Sequence, residues 1–288
     1  MDLSFELLNV FALEGDPFSG NPLCVLTGAA ALSDASMQRW ARQFNLSETT
    51  FVTGHDDAGE ASVRIFTPGH EMPFAGHPTL GTAEVVARLA VASGGQAPDR
   101  VHLTMPAGRI PVHRVAGGWR LDAPPARTRP VDAGAAELAD ALGLDERAVA
   151  DASWVDAGVE QLVVRLRGVE DVRACVADPR LMARHMTSPG RPPHVYVWAW
   201  TGPASVEARL FATQDGSVVE DPATGSACAN LGGWLAEQGH RDVVVEVRQG
   251  AAVGRPSRLV LEVDAEGGVH VGGRVERVGS GVLAGERA

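Results

Sequence analysis

The sequence predicts an α/β (α+β) fold built as two similar domains. Apolar runs of strand length recur along the chain, interrupted by a few stretches with helical spacing. A pattern in the first half, RIFT followed by a loop, AGHP and an apolar helix, returns in the second half as RLFA, a loop, PATG and another apolar helix. Arg64 and Arg209 stand 145 residues apart in a chain of 288, close to half its length. At roughly 150 residues per domain that length suits two domains. Two copies are too few for a solenoid, so the repeat predicts a duplication with a pseudo-two-fold arrangement.

The elements follow in order. Leu3 to Phe11 is an apolar run ending at EGDPFSGNP, whose Gly, Pro and Asn mark a turn, and LCVLT returns as a buried strand. Ser33 is placed to cap a helix whose Met37, Trp40, Ala41 and Phe44 keep the i, i+3, i+4, i+7 spacing. After NLSE come strands TTFVT and SVRIFT, a loop PGHEMPFAGHP, and a helix TLGTAEVVARLAVA that stops at Ser-Gly-Gly. Strands VHLTM, RIPVHRV and WRLDA complete the first half, and the Pro- and Arg-rich APPARTRPVDAG is the expected crossing between domains. Beyond it are a helix near 135–142, a strand QLVVRL, helices between 170 and 185, and strands HVYVWAW and VEARLFAT. The loop QDGSVVEDPATG, a helix SACANLGGWLAEQG and strands VVVEVRQG, SRLVLEV and VHVGGRVERV close the chain.

Composition excludes several classes of function. The formal net charge is −11, with no basic stretch, which argues against nucleic acid and anionic membrane surfaces as partners. All 25 basic residues are Arg. Without a lysine there is no Schiff-base chemistry on the chain and no P-loop lysine. Cys24, Cys175 and Cys228 are far apart and odd in number, fitting neither a disulfide framework nor a thiolate metal site and pointing to a reducing, cytoplasmic setting. The opening residues carry acids where a signal peptide has bases, and AEVVARLAVA, broken by Arg88, is too short to span a bilayer. His70-Glu71 is not part of an HExxH helix, and neither GxGxxG nor GxSxG occurs, so no metal, dinucleotide or hydrolase site is expected.

Three segments could carry chemistry. In NLSETT, Glu48 enters a strand that otherwise belongs in a core; burial would raise its pKa toward that of a useful acid/base, although a surface Glu at a strand edge is the commoner case for such a pattern. His77 in FAGHP opens a helix, where a loop histidine bonded to backbone is, taken alone, the commoner case. Asp221 and Thr224 in EDPATGSA suit helix capping. Both halves place small residues before a helix, whose free N–H groups and dipole favour an anion. Two such termini converging on a cleft would clamp a carboxylate.

The segments FSGNPLCVL, NLSETTFV, RIFTPGHEMPFAGHPTLGTA, VVEDPATGSA and QGAAVGRPS together resemble the phenazine-biosynthesis PhzF family through almost the whole chain. The resemblance implies a diaminopimelate epimerase-like fold: two pseudo-symmetric domains, each a curved mixed sheet or open barrel around a central helix. The tail then returns to the first domain, giving residues 1–122 with 277–288, and 123–276. The epimerases use two opposed cysteines, but Ala75 and Pro222 hold those positions here, so a two-thiol mechanism is excluded. The resemblance implies a cofactor-free isomerase, a homodimer, with Glu48 as acid/base and His77 and Asp221 as further catalytic groups. Asn21, Ser47, Gly76, Gly225 and Ser226 would line the pocket in the inter-domain cleft or hold the carboxylate of a small-molecule substrate. An epimerase or tautomerase of a cyclic amino acid, and a carboxylate-binding protein without turnover, are the alternatives. His70, beside the pocket approach, and Cys228 and Asn230, after DPATGSA, are departures with no assigned role.

Overall fold

In the computed structural model, which describes residues 3–284, the opening apolar run forms strand β1 (Ser4–Val10). β2 (Asn21–Thr27) folds back on it antiparallel, with Val10 facing Asn21. The loop between them is held by its own side chains: the Ser19 hydroxyl accepts from the Leu13 N–H and donates to the Asp16 carbonyl, and the Asn9 amide donates to the Pro17 carbonyl. Gly20, at φ +76°, enters β2 where a Cβ would lie 2.6 Å from the Val10 carbonyl oxygen. Helix α1 (Asp34–Phe44) has the expected Ser33 N-cap, which accepts from the Ser36 N–H, and it ends on Asn45 in the left-handed region. It carries the chain across to β3 (Thr49–His55), parallel to β2 with Cys24 facing Thr49.

β4 (Glu60–Phe66) runs antiparallel to β3, and β5 (Glu71–Met72) adds a short edge to β4. Helix α2 (Gly76–Ala92) follows, then β6 (Arg100–Met105), parallel to β4, and the hairpin partners β7 (Gly108–Val115) and β8 (Gly118–Asp122). α2 buries residues on every face, from His77 to Ala90. A helix apolar all round is a core helix, and α2 is the centre of its unit. Gly81 permits the close approach of β2, because a Cβ there would meet Leu23 Cδ2 at 2.4 Å.

The second half repeats this order. β9 (Arg127–Arg129) and α3 (Ala135–Leu142) precede β10 (Val149–Asp156) and β11 (Glu160–Leu166), an antiparallel pair. The short helices α4 (Val169–Ala174) and α5 (Pro179–His185) lead to β12 (His194–Gly202), parallel to β11. β13 (Ser205–Gln214) and β14 (Ser217–Asp221) pair antiparallel in turn. The buried helix α6 (Gly225–Glu237) then leads to β15 (Val243–Gln249), parallel to β13, and on to β16 (Ser257–Val263) and β17 (Val269–Gly273). β18 (Val275–Val282) closes on β1 antiparallel. The chain divides into two compact units, Met1–Leu121 with Gly272–Ala288, and Asp122–Val271. Each is a mixed sheet with one buried helix, the α+β class expected.

Some element assignments change. The expected crossing APPARTRPVDAG contains β9, and β10 was missed altogether; β9 exists through pairing with β10, well beyond it in the sequence, and β10, although it forms a hairpin with β11, is a weakly alternating run, VADASWVD, that does not advertise a strand. The two expected loops, PGHEMPFAGHP and QDGSVVEDPATG, each hold a short strand, β5 and β14, and the first also holds the opening turn of α2, which begins at Gly76. VHVGGRVERV splits into β17 and β18. Among the described residues no helix is long and apolar enough to cross a membrane.

Candidate active site

In the first unit, the turn after α1 sets Ser47 and Glu48 directly before β3. Ser47 Oγ lies 3.4 Å from Asn21 Oδ1 at the start of the neighbouring strand β2, so these two expected pocket residues meet. Glu48 keeps 17% of its side-chain exposure, yet its Oε2 is fully buried and has no hydrogen-bond partner among the described residues. His77 Nε2, on the first turn of α2, is 3.6 Å from that oxygen. Burial pushes the Glu48 carboxyl above the ordinary carboxylate range, opposed by a hydrogen bond from Ser47. A carboxyl whose charge is poorly solvated is basic enough, once ionised, to remove a proton from carbon and acidic enough to return it.

Local structure fixes this pair. β3 is tied to α2 by a buried hydrogen bond of 2.9 Å between the Thr50 and Thr82 hydroxyls. Ala75 stands at the N-cap of α2, where its methyl makes no capping hydrogen bond and leaves the Gly76 end without a side-chain acceptor, while the Thr79 hydroxyl bonds back to the Ala75 carbonyl at 2.7 Å. The β4–β5 edge before it is clasped by Arg64, whose guanidinium takes Glu71 in a two-point contact of 2.7 and 2.6 Å and also reaches Asp34. His70 is exposed and faces Thr67. It lies on this same loop, apart from the Glu48–His77 contact.

In the second unit, Asp221 ends β14 and Gly225 and Ser226 open α6. Thr224 occupies the N-cap position, but its side chain does not cap the helix. Its hydroxyl donates to Asp221 Oδ2. Gln249, at the end of β15, braces both: its Nε2 donates to the Asp221 carbonyl at 2.8 Å and to Thr224 Oγ1 at 3.0 Å, and its Oε1 accepts from the Thr224 N–H at 3.3 Å. Gln161 Nε2 donates to Ser226 Oγ at 3.2 Å. Arg209 clasps Glu220, the neighbour of Asp221, at 3.1 and 2.7 Å. Sequence reasoning missed Gln249, Gln161 and the two arginine clasps. The half-length recurrence of Arg64 and Arg209 was the signal available for the last.

The three cysteines are free and buried. Burial raises the thiols of Cys24 and Cys175 to about 12 and that of Cys228 further, so none is a ready nucleophile. No cluster of His, Cys, Asp and Glu suited to a metal occurs among the described residues.

Residues 8–286 match the family described as Phenazine biosynthesis-like protein. An uncharacterized isomerase from Pasteurella multocida is 36% identical, over 97% of this chain and 93% of its own. The trans-2,3-dihydro-3-hydroxyanthranilate isomerase of Pseudomonas aeruginosa is 34% identical, over 91% of each chain. The crystal structure of a Bacillus anthracis phenazine biosynthesis protein of the PhzF family superposes with a TM-score of 0.83, covering 99% of both chains at 20% identity, a likeness of fold.

Proposed function

We propose that this chain, which belongs to the phenazine biosynthesis-like (PhzC-PhzF) family and is an isomerase, shifts a proton and the conjugated double bonds of a small unsaturated amino or hydroxy carboxylic acid, with Glu48 as the acid/base and no cofactor. The observation that carries this is the buried Glu48 Oε2 beside His77 Nε2. Ionised Glu48 takes a proton from a C–H bond of the substrate. The electron pair of that bond moves along the conjugated system, and the protonated carboxyl returns the same proton to a carbon further along. Atoms and electrons balance within one molecule, as an isomerisation requires. His77, beside the carboxyl, offers a ring nitrogen to a polar group of the substrate.

The family resemblance gives Asp221 a part in the same reaction. Thr224 and Gln249 hold its carboxylate and backbone in one orientation, which suits it to accept a hydrogen bond from a substrate amine or hydroxyl. A dihydro-hydroxyanthranilate, the substrate in the name of the Pseudomonas aeruginosa relative, has the required carboxylate, amine, hydroxyl and diene. The resemblance further implies a homodimer, and three free thiols suit a reducing cytoplasm.

The test is Glu48→Gln, assayed with trans-2,3-dihydro-3-hydroxyanthranilate in D2O. We expect kcat to fall by about three orders of magnitude, within the range for loss of a general acid/base, and the isomerised product to vanish with it. Turnover close to wild type with unchanged deuterium content in the product overturns the assignment.

A further inference from the structure

We infer that Gln161 and Asn230 are positioning residues that occupy one lone pair of the Ser226 hydroxyl and turn its proton toward the ligand, so that this position favours an acceptor oxygen, such as that of a carboxylate, over an N–H group on the ligand. The inference rests on the assignment of Ser226 to the substrate-binding set.

A backbone N–H can only donate and a backbone carbonyl can only accept. Asn230, fully buried on α6, meets one of each on the turn between β10 and β11: its Oδ1 accepts from the Ala157 N–H at 2.7 Å and its Nδ2 donates to the Val159 carbonyl at 2.9 Å. The Asn230 amide therefore has one orientation. Its Nδ2 also donates to Gln161 Oε1 at 2.8 Å, which fixes the second amide, 3% exposed, with Nε2 toward Ser226. Nε2 donates to Ser226 Oγ at 3.2 Å. With that lone pair engaged, the Ser226 hydroxyl proton points elsewhere, and no acceptor for it is present among the described residues. Ser226 is half-exposed at the start of α6, so the proton is available to a ligand.

The duplicated fold supplies a control. In the parallel pair β2–β3 Cys24 faces Thr49, and in β11–β12 Leu162 faces Val195, so Leu23 and Gln161 hold the same register position. Gly81 and Asn230 are each the sixth residue of their helices. In the first unit this contact is a leucine packed on a glycine. The architecture is satisfied by an apolar pair, and burying two amides in its place is costly unless they are fully bonded. Their chain of bonds ends on Ser226.

The experiment compares binding of anthranilate and its uncharged analogue 2-aminobenzamide by calorimetry, in the whole protein and in Ser226→Ala, Gln161→Met and Gln161→Glu. Wild type is expected to prefer anthranilate. Gln161→Met frees the Ser226 hydroxyl and is expected to reduce that preference about threefold. Gln161→Glu turns the hydroxyl toward the new carboxylate and is expected to reduce it more than tenfold. A purely structural loss would weaken both ligands alike and leave the ratio unchanged, and that result in both Gln161 variants, with Ser226→Ala lowering the preference, overturns the inference alone. A wild type without preference for anthranilate, or a Ser226→Ala variant that keeps it, overturns the assignment of Ser226 and the inference with it.

Discussion

The two units share a strand order and differ at the few positions to which we assign chemistry. β1, β2, β3, β4 and β5 pair among themselves as β10, β11, β12, β13 and β14 do, with a buried helix following each set. Thr49 faces Phe66 and Val195 faces Phe211, which makes Glu48 the counterpart of His194, and Thr50 that of Tyr196. The helix openings differ too: His77 stands second in α2 and Ser226 second in α6. One unit thus offers a carboxyl and an imidazole within 3.6 Å, and the other offers a hydroxyl and a braced carboxylate. The duplicated scaffold carries different polar groups at matching places in its two copies.

The largest expected effect breaks that symmetry directly. Glu48→Gln should lower kcat about a thousandfold, whereas His194→Gln, at the matching position, should leave it within about twofold. Steady-state kinetics on both variants decides this. Equal losses would mean that the two positions share the work and that the division between the units is wrong.

Next come the arginine clasps, the conserved half of the comparison in the literal sense that both units have them. Arg64 lies 5.2 Å over the Phe66 ring and Arg209 4.7 Å over Phe211. The second clasp is deeper: the Arg209 and Glu220 side chains are 13% and 9% exposed, against 26% and 31% for Arg64 and Glu71. Arg209 also takes the Val172 and Cys175 carbonyls that end α4. Removing one partner of a buried pair strands the other charge, so Arg209→Met should destabilise by about 3–5 kcal/mol. Arg64→Met should cost about 1–2 kcal/mol, because water reaches Glu71. Denaturant unfolding followed in both variants ranks them, and the reverse order would show that burial does not set the strength of the clasp.

These clasps also show what the sequence could convey. RIFT and RLFA were visible as a repeat because Arg-X-Phe is contiguous, and the periodicity of α1 and its serine cap were equally local. Glu48 was not legible as a buried group, because its burial depends on His77 and the rest of the fold, nearly thirty residues on. Gln161 and Asn230 are 69 residues apart and become neighbours only through the register of β11 against α6. β9, which pairs with β10, went unread for the same reason. Family motifs located the candidate residues, while the hydrogen-bond directions around them came only from coordinates.

Titration separates the units more gently. Burial disfavours the charged form at both matching positions, raising Glu48 and lowering His194, the latter also through Arg191. The signs are therefore opposite. Folded Glu48 holds its proton more tightly than the unfolded chain does, so stability falls as pH rises from 4.5 through its raised pKa. Folded His194 holds its proton less tightly, so stability present above 6.5 is lost as pH falls through its lowered pKa. Glu48→Gln should flatten the first slope and His194→Gln the second, in denaturation midpoints measured across pH. With Glu48 as the proposed base, the same raised carboxyl should place the acid limb of kcat/KM above the ordinary carboxylate range, since that base must be ionised. An acid limb near 4.5 would remove Glu48 from that role.

The smallest effect concerns Thr50 and Tyr196. The Thr50 hydroxyl bonds Thr82 within the core, while the Tyr196 hydroxyl is buried with no partner among the described residues. A buried hydroxyl that makes its bond contributes about 1 kcal/mol, and one that does not carries a desolvation cost of about 1–3 kcal/mol. Thr50→Val should therefore lower stability by about 1–2 kcal/mol. Tyr196→Phe, which keeps the ring packing and removes only the oxygen, should leave stability unchanged or raise it by about 1 kcal/mol. Thermal melting of the two variants side by side gives the comparison. A Tyr196→Phe loss as large as that of Thr50→Val would show that the phenol has a partner of its own, and that the second unit is knit to its central helix as the first is.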